Sequence, residues 1–181
     1  MRFAYLTKIN RAHGINAEKE ITFLNGKKYI RVIAFILLAI WCFGFSSASL
    51  FPKSIAIILY PLLKQFYSNV CHQIGYKCIE MNGINFLVCA RCSGIYFGGL
   101  LSSTVFLLTT KSYQLNVNFI FLAALPMAID VILYSLGVYH YSKITALTTG
   151  FFFGFITVSF ILSSIEKFLF NKEITGTNEL T

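Results

Sequence analysis

The chain has 181 residues, 56% of them apolar and only 12% charged, against about 25% charged in an ordinary soluble domain. With a mean hydropathy of +0.69, that composition excludes a soluble globular domain, and it equally excludes a disordered chain, which needs low hydrophobicity and high charge. The net charge of +8 does not by itself indicate nucleic acid, because that reading needs a basic patch on a folded surface. Seven of the fifteen cations (Arg2, Lys8, Arg11, Lys19, Lys27, Lys28, Arg31) instead fall at or before the start of the first hydrophobic run, as the positive-inside bias requires.

Residues 1–28 read as a polar, basic cytoplasmic tail. Residues 29–50 form an apolar run interrupted by one charge, Arg31, long enough to span a bilayer. A signal peptide with Lys27 and Lys28 as its basic region is the rival reading, and the long polar leader favours an uncleaved anchor. Residues 51–69 carry Pro52, Lys53, Pro61 and Lys64, and their apolar stretch is too short to span, which predicts an interfacial or re-entrant helix. A polar loop over 70–83 holds Cys71, His72, Cys78 and Glu80. Three further apolar runs, 84–110, 117–138 and 146–168, complete the expected fold: an all-α integral membrane protein with about four transmembrane helices plus the short one. One transmembrane domain then covers 29–168, and 169–181 is a polar cytoplasmic tail. Four spans place both termini in the cytoplasm, with ten cations inside and five outside. This arrangement fits a multi-pass protein of the cell's inner membrane, with the Cys/His loop outside and the lipid bilayer as its evident partner.

Two groups of residues point to chemistry. Cys71-His72-Gln73 is followed by Cys89-Ala90-Arg91-Cys92, with Cys78 between them. Paired soft ligands separated by a loop are how proteins supply tetrahedral zinc, so Cys71, His72, Cys89 and Cys92 are candidate ligands for zinc or another transition metal, with Cys78 in reserve. The same Cys-x-x-Cys pair is the form of thiol oxidoreductases, and spacing leaves the two readings open. Cys42, alone in the first span, reads as an apolar filler. The second group centres on Asp130 within the third span, a carboxylate that needs a partner or a wet cavity at that depth. Asp130 lies about 12 Å from one end of its span at 1.5 Å per residue. Cys89, Arg91 and Cys92 are expected at a similar depth in the preceding span, near the same face, with His140, Tyr141, Thr148, Thr149 and Gly150 beside them. Arg91 is the expected electrostatic partner, and Asp130 and Arg91 are the candidate catalytic residues. Gly94, Gly98 and Gly99 in one span and Gly150 and Gly154 in another suit close helix packing. Glu166 reads as snorkelling or as paired near Lys167.

Cys71-His72-Gln73 and the run Cys89 to Gly98, with Pro126 to Asp130 and Thr149-Gly150, resemble the prokaryotic membrane family known as domain of unknown function 2085. The resemblance implies a small multi-span membrane protein and supplies no established activity. The chain departs from that pattern at Lys77 and Cys78, where Arg-Ser is usual, at Val131 in place of Gly, and at Ala146 in place of Arg. Losing that Arg leaves Arg91 as the remaining anion-binding candidate. Three functional readings follow: a metal site with Asp130 and Arg91 beneath it, a thiol-disulfide protein using Cys89 and Cys92, and a structural or transport component with Asp130 lining a polar path.

Overall fold

The structure is a computed structural model that describes residues 26–47, 49–50, 53–81, 83–109 and 116–176. Side chains at 53–57, 59 and 170–176 are outside the description. Of the tail expected over 1–28, residues 1–25 lie outside the described residues, as do 110–115, which hold most of the turn expected over 111–116, and the last residues 177–181.

The first helix, α1, runs Gly26–Ser47, and α2 covers Lys53–Ser68. A short 3-10 turn, Gly75–Lys77, leads into strand β1 (Cys78–Met81) and strand β2 (Ile84–Cys89). Three helices follow: α3 (Ala90–Leu108), α4 (Asn118–Ser135) and α5 (Lys143–Gly176). Among the described residues, four helical segments are long and apolar enough to span: α1, α3, α4 and Lys143–Leu169 of α5. The all-α membrane class holds. At 16 residues, α2 is about 24 Å long, short of the ~30 Å hydrocarbon thickness.

The sheet is the departure from expectation. Residues 84–89, expected to open the second span, form a strand paired antiparallel with β1, with Cys78 opposite Cys89 and Met81 opposite Ile84. The reason is local. Gly83 adopts φ 78, a conformation glycine enters freely, and so turns the chain back. The aromatic and β-branched run behind it then pairs rather than winding into a helix. Phe86, Leu87 and Val88 are all buried, joining Cys42 and Phe45 of α1 and Tyr67 of α2 in one core. That core is largely aromatic. Trp41 meets Tyr67 and Tyr96 edge-on at 5.0 and 5.8 Å, and the Tyr67 hydroxyl donates to the Trp41 carbonyl at 3.1 Å. The expected role of Cys42 as core filler agrees with its burial.

Helices α3 and α5 run parallel and touch backbone to backbone. A Cβ on Gly94 would overlap the Leu147 carbonyl and one on Gly98 the Phe151 carbonyl; one on Gly150 or Gly154 would strike the Arg91 or Ile95 carbonyl of α3. In lipid, where tails are as apolar as leucine, such close approach supplies the van der Waals contact that holds helices together. One turn further on, the hydroxyls of Ser102 and Ser159 meet at 2.7 Å. Helix α4 packs on α5 and buries only Ala123 and Asp130. Its many exposed apolar side chains, Phe121, Leu122, Ile129 and Ile132 among them, suit contact with acyl chains.

Glu166 corrects the expectation of snorkelling. It is 2% exposed and pairs with Arg31 of α1, whose Nε and Nη2 donate to its two carboxylate oxygens at 2.5 and 3.0 Å. The same guanidinium donates to the carbonyls of Phe106 and Thr109 at 2.7 and 2.5 Å. It thereby satisfies the end of α3, where carbonyls lack helical partners and cations are favoured. The pair was hidden because its members stand 135 residues apart.

Two outcomes test this packing. Glu166→Gln leaves Arg31 buried without its counter-charge and is expected to cost about 3 kcal/mol, whereas Arg31→Met with Glu166→Met recovers most of it. Thermal unfolding in mild detergent measures both. Gly98→Val forces α3 off α5 and is expected to destabilise by about 1–3 kcal/mol in the same assay.

Candidate metal centre

The hairpin and the end of α2 converge on the start of α3. The Cys71 N–H bonds the Tyr67 carbonyl at 3.0 Å, fastening Cys71 to the last turn of α2. Cys89 caps α3 in an extended conformation and Cys92 sits in its first turn, so the Cys-x-x-Cys pair lies at the helix mouth. Sequence placed it five to eight residues into a span, and the strand over 84–89 accounts for the difference. The sulfurs of Cys71, Cys89 and Cys92 all lie within 4.8 Å of one another. Tetrahedral thiolates at about 2.3 Å from zinc stand about 3.8 Å apart, a spacing that fits inside this limit.

The surroundings favour the thiolate form of Cys71. The Cys71 sulfur accepts a hydrogen bond from the Cys89 N–H at 3.2 Å. Hydrogen bonds from the Cys89 and Cys92 thiols, joined by the backbone of Gln73 and Cys89, hold Cys71 well below the usual thiol range against the opposing effect of burial. Gln73 takes φ 50, a left-handed conformation that costs a non-glycine residue energy, and its side-chain amide donates to the Lys64 carbonyl at 2.9 Å. The start of α3 adds its partial positive charge.

The other expected ligands stand apart from this group. His72 is exposed, because burying one of two adjacent side chains turns the other outward. Cys78 is buried, donates to the Ile74 carbonyl at 3.4 Å, and is pushed up to about 11 by burial and by the neighbouring Cys71 and Cys89. All five cysteines are free thiols.

Beside the sulfurs, the Arg91 guanidinium bonds the Asp130 carboxylate across α3 and α4, the partnership that spacing pointed to. Asp130 is 5% exposed. Its second oxygen accepts from the Tyr139 hydroxyl, a contact that sequence reading missed although a tyrosine nine residues on, past a glycine turn, was there to be noticed. Thr148 and Thr149 do not join the site; their hydroxyls bond carbonyls of their own helix.

A model of the family described as predicted membrane protein (DUF2085) matches residues 71–160, the stretch that carries all of this geometry. An uncharacterised protein of the archaeon Methanocaldococcus jannaschii, MJ1492, is 30% identical over 140 residues, 76% of this chain and 87% of its own length. The chain belongs to the DUF2085 family. No solved structure matches it. The motifs that suggested the family fall inside the matched region, and in this DUF2085 protein Cys71, Cys89 and Cys92 among them gather beside the Arg91–Asp130 pair at one end of the bundle.

Tyr141 borders that cluster. Its phenol is pushed up to about 12, first by burial, then by Cys89, with Arg91 opposing. A phenol raised in the folded state contributes stability that is whole below its ordinary value of 10.0 and is lost as pH climbs toward 12. Tyrosinate absorbance is therefore expected to show a late component between those two values that Tyr141→Phe diminishes.

Proposed function

We propose that this DUF2085 protein holds a transition metal, zinc being the best match to its donors, on the thiolates of Cys71, Cys89 and Cys92. The observation that carries this reading is the mutual approach of three sulfurs from three separate elements to within 4.8 Å. Three thiolates on a divalent ion leave a net charge of −1 and a fourth position, and an open fourth position is what distinguishes a catalytic from a structural zinc site. His72 is the sequence candidate for that position and would reach it only by rearranging the backbone around Gln73. Arg91 and Asp130 lie beside the sulfurs. In this reading Arg91 offsets the negative charge of the centre, while Asp130 and Tyr139 fix its guanidinium. The positive-inside bias puts the basic amino terminus in the cytoplasm and the metal centre at the outer face of the inner membrane.

The test is metal content, by plasma mass spectrometry, of protein purified in mild detergent without chelators. About one zinc per chain is expected, and Cys89→Ser is expected to lower occupancy at least about tenfold. Unchanged occupancy in that variant overturns the assignment.

A second reading draws on the same sulfurs. A Cys-x-x-Cys pair at a helix mouth suits thiol-disulfide exchange, in which Cys89 and Cys92 together lose two electrons and two protons to an acceptor disulfide. It predicts no bound metal and a mobility shift on alkylation after reduction. The transport reading has less support, because both oxygens of Asp130 are engaged, by Arg91 and Tyr139.

A further inference from the structure

Next to the cysteines, the turn between α4 and α5 and the 3-10 turn border an open, surface-facing cavity of about 610 Å³ lined by Tyr76, Tyr134, Ser135, Gly137, Tyr139, His140 and Tyr141. This is within the usual ligand range of about 300–1,000 Å³. We infer that this cavity is a binding site for the phosphate headgroup of an anionic phospholipid, whose acyl chains lie along the exposed face of α4.

The charge at the site comes first. The Lys77 ammonium sits over three phenol rings, 4.6 Å from the centroid of Tyr134 and 5.5 Å from those of Tyr76 and Tyr141. Those rings are braced against one another: the Tyr76 and Tyr134 hydroxyls meet at 3.0 Å, and Tyr134 and Tyr141 pack edge-on at 5.5 Å. Ring faces attract a cation without neutralising it. Among the described residues no carboxylate forms an ion pair with Lys77, and the one acid that touches the cavity wall, Asp130, is already bound by Arg91 and by Tyr139. Because the cage is filled by the protein's own ammonium, a choline or other quaternary cation is excluded and an anion is complementary. The one hydroxyl proton that the Tyr76–Tyr134 pair leaves over and the His140 imidazole on the cavity wall are donors for a phosphate oxygen, with the Lys77 ammonium supplying positive charge from behind the rings.

Location then selects a lipid over a free anion. The cavity lies at the end of α4, where Ile129, Ile132, Leu133, Leu136 and Val138 are exposed. In a membrane that strip faces acyl chains, and the cavity stands at headgroup level, where tyrosines concentrate. A phosphate bound there has its lipid tails beside an apolar surface already in place.

Native mass spectrometry of the full chain in a nonionic detergent, titrated with phosphatidylglycerol, phosphatidylcholine or soluble glycerol phosphate, tests the assignment. One phosphatidylglycerol per chain is expected, held more tightly than phosphatidylcholine and not displaced by equimolar glycerol phosphate. Lys77→Gln is expected to weaken its retention about fivefold. His140→Gln, at an exposed rim position, should weaken it too and serves if Lys77→Gln fails to fold. Metal content is measured on the same samples, so loss of lipid at unchanged occupancy separates this site from the metal centre. Equal or tighter binding of phosphatidylcholine, displacement by glycerol phosphate, or unaltered retention in the folded variants would each overturn the proposal.

Discussion

Everything at the two ends of this bundle depends on how closely α3 and α5 approach. Gly94 and Gly98 on one helix and Gly150 and Gly154 on the other leave no room for a Cβ, and the backbones meet in parallel. A parallel pair needs a returning element between its members, and α4 supplies it. Helix α4 packs on α5, which leaves most of its surface to lipid, and its one buried carboxylate reaches α3. With the α3–α5 axis fixed, the first turn of α3 and the end of α4 arrive at one face, while the last turn of α3 and the far part of α5 arrive at the other.

Each face is then closed by a buried guanidinium–carboxylate pair. At one end Arg31 ties α1 to Glu166 of α5 and to the terminal carbonyls of α3. At the other, Arg91 ties α3 to Asp130 of α4. Desolvating such ions is costly, and burying one without its partner costs more. The pairs therefore discriminate against misassembled bundles at least as much as they stabilise the right one. Their surroundings differ. Arg31 is enclosed and spends its donors on helix carbonyls, whereas the Arg91 side chain is 20% exposed and borders the sulfurs, the tyrosines and the cavity.

The three-cysteine cluster illustrates how little of a candidate site one element supplies. Cys71 is placed by the last turn of α2, Cys89 by the hairpin and Cys92 by the first turn of α3. The hairpin is the hinge of this arrangement. By reversing the chain at Gly83 it brings Cys89 back toward Cys71, 18 residues earlier, and delivers it to a helix mouth where thiolates are favoured. Its apolar residues extend the aromatic core of α1 and α2, so the cysteine cluster rests on a packed platform.

Composition and run length alone determined the membrane class, the four long helices and the shortness of α2, because water-to-lipid transfer acts on each segment separately. The glycine spacing foretold close packing, and the insertion cost of Asp130 foretold a partner, since each is a local constraint with few solutions. The Cys-x-x-Cys pair marked Cys89 and Cys92 as neighbours by its spacing, and their sulfurs do lie close together. The β-hairpin was legible only in part: residues 84–89 are as apolar as the span behind them, and what separates strand from helix there is the turn at Gly83 and the presence of β1 to pair with. Tertiary structure alone decided that Cys71 joins Cys89 and Cys92 while His72 and Cys78 stand apart, that Glu166 meets Arg31, and that Lys77 is caged by three tyrosines. Each of those outcomes depends on which faces of distant segments are pressed together. A sequence encodes the strength of every such preference, but the partner is chosen by packing.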